Sequence, residues 1–184
     1  MKAERADGSI LETERLFLRE MGAEDRGSLA KMMQDPQVMY AYEGAFSDAE
    51  VDGWLERQCL RYEKDGFGLW AVCLKETEEM IGQCGVTLQD WEERRVHEIG
   101  YLFQRAYWRK GFAAEAAKGC KGYAFDTMKL DAVYSIIRDT NLPSMNVAIR
   151  NGMLLRGRMI KHFRGVLMPH LVFGVSRTEV EADR

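Results

Sequence analysis

Long apolar runs are absent from this 184-residue chain. No stretch approaches the roughly 20 residues needed to span a bilayer. The opening MKAERADGSILETERL is polar and charged, without the apolar core of a signal peptide. Strong charge of one sign is also missing. The formal net charge is −3, which gives no general attraction to nucleic acid or to a membrane surface, so an anionic ligand must be caught by a local site. The four cysteines, Cys59, Cys73, Cys84 and Cys120, contain no C-x-x-C pair, and His97, His162 and His170 do not cluster with them. That spacing predicts neither a metal site nor a secreted disulfide framework. Reduced thiols in a soluble cytoplasmic protein are the expectation. No low-complexity linker or repeat divides the chain. One domain is expected over residues 11–177, with flexible tails at 1–10 and 178–184.

What is present is a clear succession of periodic segments. RLFLRE alternates apolar and polar residues and predicts a half-buried strand. Leu29, Met32 and Met33 fall at helical spacing, and Asp35-Pro36 stops that helix. Ser47 and Glu50 form a capping-box pattern ahead of a helix that ends at Gly66. GLWAVCLKE, IGQCGVTLQ and RRVHEIGYLF follow as strands, with Gly82 and Gly85 marking a bulge or a close backbone approach. A helix over residues 112–128, the strand AVYSIIRD, the short helix LPSMNVAIRNG and a last pair of strands complete the chain. The order β-α-α-β-β-β-α-β-α-β-β predicts an α/β (α+β) domain. Its mixed sheet is mostly antiparallel, with helices on both faces and one right-handed strand–helix–strand unit supplying a parallel pair.

One stretch carries chemistry. YWRKGFAAEA puts Arg109, Lys110 and Gly111 before the first turn of an alanine-rich helix. A helix start offers unpaired N–H groups and partial positive charge, a ready site for phosphate. Gly111 lets the chain turn and a ligand approach; Ala113 and Ala114 keep the turn narrow; the two cations add charge. The physical reading is a pyrophosphate cradle. The spacing matches neither G-x-x-x-x-G-K-[ST] nor G-x-G-x-x-G.

The context HEIGYLFQRAYWRKGFAAEAAKGCKGYAF, followed by NLPSMNVAIRNGM, resembles the GNAT superfamily of acetyl-CoA-dependent N-acetyltransferases. It looks closest to the branch of ribosomal-protein N-terminal alanine and serine acetyltransferases. The resemblance implies that the backbone amides of Arg109, Lys110, Gly111, Phe112, Ala113 and Ala114 hold the pyrophosphate of acetyl-CoA. It implies that the strand bearing Tyr101, Leu102 and Phe103 splays from the parallel strand to admit the pantetheine arm. Asn141 would bond that arm and Ser144 would lie near the thiol. Two departures stand out. Trp108 occupies a position where Gln or Arg is frequent in the wider superfamily, which favours the resembled branch. Ala148 stands where a general-acid Tyr is often found, so the proton for the leaving thiolate must come from Ser144 or a water.

Direct attack by an amine needs an acceptor for its proton. Glu98, a charged residue in mid-strand, is the candidate base, acting through water; its structural alternative is an ion pair with Arg94 or Lys75. Ser144 could instead cap its helix, and Asn141 could simply make an Asx turn. Tyr40, Tyr42 and Glu43, with Phe67 and Trp91, are the candidates for the acceptor pocket. The acceptor is expected to be a protein N-terminal α-amine, or a small amine such as a polyamine, amino sugar or amino-acid derivative. A non-catalytic CoA-binding module is the alternative. The resemblance leaves monomer and homodimer both open.

Overall fold

The computed structural model describes residues 8–182. Its strands are β1 (Ser9–Glu12), β2 (Leu16–Arg19), β3 (Leu69–Leu74), β4 (Met80–Trp91), β5 (Arg94–Phe103), β6 (Ala132–Arg138), β7 (Leu154–Phe163) and β8 (Val166–Ser176). They form one sheet in the order β1-β2-β3-β4-β5-β6-β8-β7. Neighbours are antiparallel except β5 and β6, which run parallel. The helices are α1 (Arg26–Met33), α2 (Asp48–Asp65), α3 (Phe112–Asp126), α4 (Leu142–Arg150) and α5 (Arg177–Ala182). Among the described residues no helix is long and apolar enough to cross a membrane.

The sheet is covered on both faces, which explains why β3 reads as the unbroken apolar run LWAVCL. Trp70 and Val72 join the core shared with α3 and α4, and Leu69, Ala71 and Cys73 join the core under α1 and α2. Burying one such leucine-sized side chain stabilises the fold by about 1.5–3 kcal/mol. The capping box forms as expected: the Glu50 amide donates to the Ser47 hydroxyl, and the Ser47 amide donates to the Glu50 carboxylate at 2.8 Å. At Gly85 the close approach is real, since an added Cβ would lie 2.0 Å from the Gly68 carbonyl oxygen.

Both chain ends differ from the expected tails. Ser9 and Ile10 belong to β1, where Ser9 pairs with Arg19. Four residues are too few to generate a readable alternation. Residues expected to trail off after 177 form α5, whose Glu179 carboxylate accepts from the Ser176 amide at 2.8 Å and pairs with Arg156. The expected tail positions 1–7 and 183–184 lie outside the described residues.

Candidate active site

The site begins where the sheet comes apart. β4 and β5 stay paired from Gly82–Phe103 to Trp91–Arg94, and β6 and β8 from Ala132–Ser176 to Arg138–His170. β5 and β6 meet at Glu98–Tyr134 alone among the described register pairs. Beyond it Tyr101, Leu102 and Phe103 stand away from β6. Glu98 marks the fork. Its carboxylate accepts from the Ile136 amide at 3.2 Å and from the Thr87 hydroxyl at 3.3 Å. It thus satisfies an N–H that the parting strand leaves over. The expected ion pairs are not formed: Lys75 pairs with Glu12, and the Arg94 guanidinium lies over the Trp91 ring. His97 points away, stacked 5.7 Å from Phe67.

On one side of the fork lies a cleft of about 470 Å³. Its walls include Tyr101, Leu102, Phe103, Arg109, Gly111, Phe112, Ala113, Ala114, Asn141 and Ser144, all expected there. Arg109 and Gly111 adopt left-handed φ of 62° and 85°. Such a turn aims successive amides toward one point. Glu115 is the first helical residue whose amide finds a backbone partner, Gly111 at 3.0 Å. The amides from Arg109 to Ala114 take no backbone partner among the described residues. Lys110 is a partial exception to expectation. It does not line the cleft; its ammonium sits 5.1 Å from the Tyr107 ring centre, and only its backbone belongs to the cradle.

Arg15, unremarked in the sequence, also reaches this helix start. Its guanidinium lies 4.4 Å from the Phe112 ring centre, donates to the Lys110 carbonyl at 3.1 Å and pairs with Glu115 at 2.7 Å. An added Cβ at Gly111 would stand 3.4 Å from Arg15 Nη2. A second cation therefore borders the cradle, supplied from a turn about a hundred residues away in sequence. Burial would raise the Glu115 carboxyl, but bonds from Thr13 and from the Arg15 amide and guanidinium outweigh it and hold the group below its ordinary range.

On the other side lies a cavity of about 360 Å³ lined by Tyr42, Glu98, Arg57, Arg61 and Arg138 among others. Tyr101, Leu102, Asn141 and Ser144 line both cavities, so the two spaces meet at this wall. Asn141, not Ser144, caps α4: its side-chain oxygen accepts from the Ser144 amide at 3.2 Å and from the Tyr40 hydroxyl at 2.9 Å. The Ser144 hydroxyl is thereby free of capping duty. The Tyr101 phenol donates to the Ser144 carbonyl at 2.6 Å, and burial pushes its pKa far up, so it keeps its proton. Ala148 is buried beneath this wall and supplies none.

The expected acceptor residues divide. Tyr42 lines the second cavity, and burial, reinforced by the Glu98 charge, pushes its pKa up to about 12. Tyr40 borders the cofactor-side cleft instead. Glu43 lines neither space but pairs with Arg138, which lines the second cavity. Phe67 and Trp91 line neither space: Phe67 packs on His97, and Trp91 is buried against Val96, Ile136 and Val172. Among the described residues no group of three or more His, Cys, Asp or Glu is placed to hold a metal ion.

The splayed mixed sheet is the architecture of an acyltransferase. The family model for the acetyltransferase (GNAT) domain matches residues 15–154, and the chain belongs to that family, whose members use acetyl-CoA as acyl donor. It is 35% identical to the uncharacterized N-acetyltransferase p20 of Bacillus licheniformis over 74% of this chain and 78% of that one. The acetyltransferase from Agrobacterium tumefaciens superposes with a TM-score of 0.77 at 27% identity, over 95% of this chain and 99% of that one. The ribosomal-protein-S5-alanine acetyltransferase from Vibrio fischeri shares the fold, with a TM-score of 0.71 at 19% identity, over 90% and 94% of the two chains.

Proposed function

We propose that this chain transfers an acetyl group from acetyl-CoA to a primary amine by direct attack in a ternary complex. The observation that carries this reading is the shared wall of Tyr101, Leu102, Asn141 and Ser144 between the two cavities. A thioester laid along the cofactor-side cleft would present its carbonyl there to an amine in the other cavity. Alignment of that kind is worth about 7–11 kcal/mol of barrier. The amine nitrogen forms the new C–N bond as the C–S bond breaks. The amine proton passes through water to Glu98, and the leaving thiolate takes a proton from a water or from the Ser144 hydroxyl, which water reprotonates as Glu98 returns its proton to solvent. The amides from Arg109 to Ala114 would hold the pyrophosphate, with Arg109 lining the cleft and Arg15, paired with Glu115, beside it. Buried free thiols suit a cytoplasmic setting.

A protein N-terminal α-amine and a small amine both fit the chemistry. The cavity of about 360 Å³ favours the small amine, because that volume suits one compact ligand. The test is acetyl-CoA-dependent thiol release across a panel of amines and N-terminal peptides. Release that rises with amine concentration supports transfer. Saturable acetyl-CoA binding with no amine-dependent release would make the chain a CoA-binding module instead.

A further inference from the structure

The second cavity has a charge opposite to that of the whole chain. Arg57, Arg61, Arg138, Lys161 and His162 line it, and Glu98 is the carboxylate among the described residues of its wall. Arg57 and Arg61 are one turn apart on α2, and neither has a carboxylate within ion-pair distance among the described residues. Arg57 lies 5.5 Å over the Trp54 ring, and Arg61 donates to the Gln58 side chain at 3.1 Å. Arg138 spends one nitrogen on Glu43 and another on the Ala41 carbonyl, yet its Nε is buried with no partner. Burial pulls the pKa of Arg61 down while the nearby Glu98 opposes the shift. Arg61 is the half-buried guanidinium without a counter-ion, a costly state unless a ligand supplies one, whereas Arg57 is exposed and Arg138 is held by Glu43. A polyamine entering here would meet like charge. The net charge of −3 gives no hint of this, because the carboxylates lie elsewhere.

We propose that the acceptor is a small amine carrying its own anionic group, a carboxylate or a phosphate. Arg57, Arg61 and Arg138 hold the anion while the amine faces Glu98. This rests on the transferase reading above and narrows its substrate class.

Calorimetry on the CoA-saturated protein tests it without requiring turnover. The probes are the twenty L-amino acids against their α-carboxamides, glucosamine 6-phosphate against glucosamine, spermidine, and acidic tripeptides. At least one anionic amine is expected to bind about 10–100-fold more tightly than its neutral counterpart. The carboxylate and phosphate pairs identify which anion is held. Arg57→Gln and Arg61→Gln should erase the difference while CoA affinity, set by the other cleft, stays as the control for folding. Equal affinity within every pair, tighter binding of spermidine, binding of peptides alone, or no binding by any anionic amine overturns the proposal. Thiol release measured in parallel separates the two readings. Release with neutral amines at equal kcat/KM sinks the anion and leaves transfer. Anion-selective binding with no release for any amine sinks transfer and leaves the anion site.

Discussion

Gly111 sits where a side chain would do most harm. Its φ of 85° is a conformation that L residues rarely adopt, and the space beside it is bounded by Arg15. Gly111→Glu puts both bulk and a negative charge where the pyrophosphate belongs. Saturable acetyl-CoA binding should weaken by more than about 100-fold in calorimetry, the loss of several charge-assisted bonds; normal binding would remove the cradle from this helix. Glu98→Gln makes a cleaner test of the base, because its amide oxygen can still accept from the Ile136 amide while its NH2, in place of the second oxygen, can donate to the Thr87 hydroxyl. Turnover should fall by about 100-fold or more near neutral pH, with the deficit narrowing as pH rises and the free amine needs less help. CoA affinity should barely change. A flat pH dependence of the wild-type-to-variant ratio would take Glu98 out of the proton path. Gly111, Asn141 and Glu98 stand out in the sequence because glycine, an Asn just before a Pro and a mid-strand charge each break a local pattern. Arg57 and Arg61 carry no such mark, because charged residues on a helix are ordinary. Phe67 and Trp91 misled for the converse reason: an aromatic near a loop has no local mark that separates pocket wall from core.

Elements were easiest to read where local chemistry is strongest. The capping box of α2 and the Gly111 start of α3 form where their residues predict, and α4 begins at LPS as expected but with Asn141 in place of Ser144 as its cap. β1 escaped because four residues carry too little alternation to read, and α5 was missed although Ser176 and Glu179 form a local cap at its start. A contact long in sequence joins the turn after β1 to α3. The Glu115 carboxylate takes the Thr13 hydroxyl at 2.6 Å, the Arg15 amide at 2.8 Å and the Arg15 guanidinium at 2.7 Å. Its pKa is held below the ordinary 4.5, burial notwithstanding, so the folded state binds its proton less readily than the unfolded chain does. The contact therefore stabilises fully above pH 4.5 and is lost as pH falls through the lower folded value. Glu115→Gln should lower the melting temperature at pH 7 by about 2–4 °C, for about 1 kcal/mol at a partly solvated pair. That difference should shrink in scans below pH 4.5. Acetyl-CoA affinity should fall several-fold as well, because Arg15 loses its anchor beside the cradle. An equal deficit at all pH values would show that the stabilisation does not come from the ionised carboxylate.

At the scale of the whole molecule, function comes from an interrupted sheet. The alternation of β5 and β6 announces two ordinary strands, and nothing local in EIGYLF or YSIIRD says that their pairing stops at Glu98 and Tyr134. The splay is a property of the assembled sheet. β4 and α3 hold one wing, β8 and α4 hold the other, and the Glu98 side chain closes the fork between them. The resemblance, not the periodicity, led to it. A ligand laid in that opening would bridge the wings: the cradle amides lie on the α3 side, and Asn141 and Ser144 lie on the α4 side. Binding should therefore stabilise the fold as one unit. With acetyl-CoA at about 100 times its dissociation constant, linkage gives a gain of about 2.7 kcal/mol. For a chain of this size that is a rise of roughly 5–10 °C in a thermal scan, at about 2–4 °C per kcal/mol. Desulfo-CoA, which keeps the pyrophosphate and most of the arm, should retain most of the rise, whereas Gly111→Glu should show none with either ligand. A rise that persists in Gly111→Glu would place the ligand outside the splay and separate the fold of this chain from the site assigned to it.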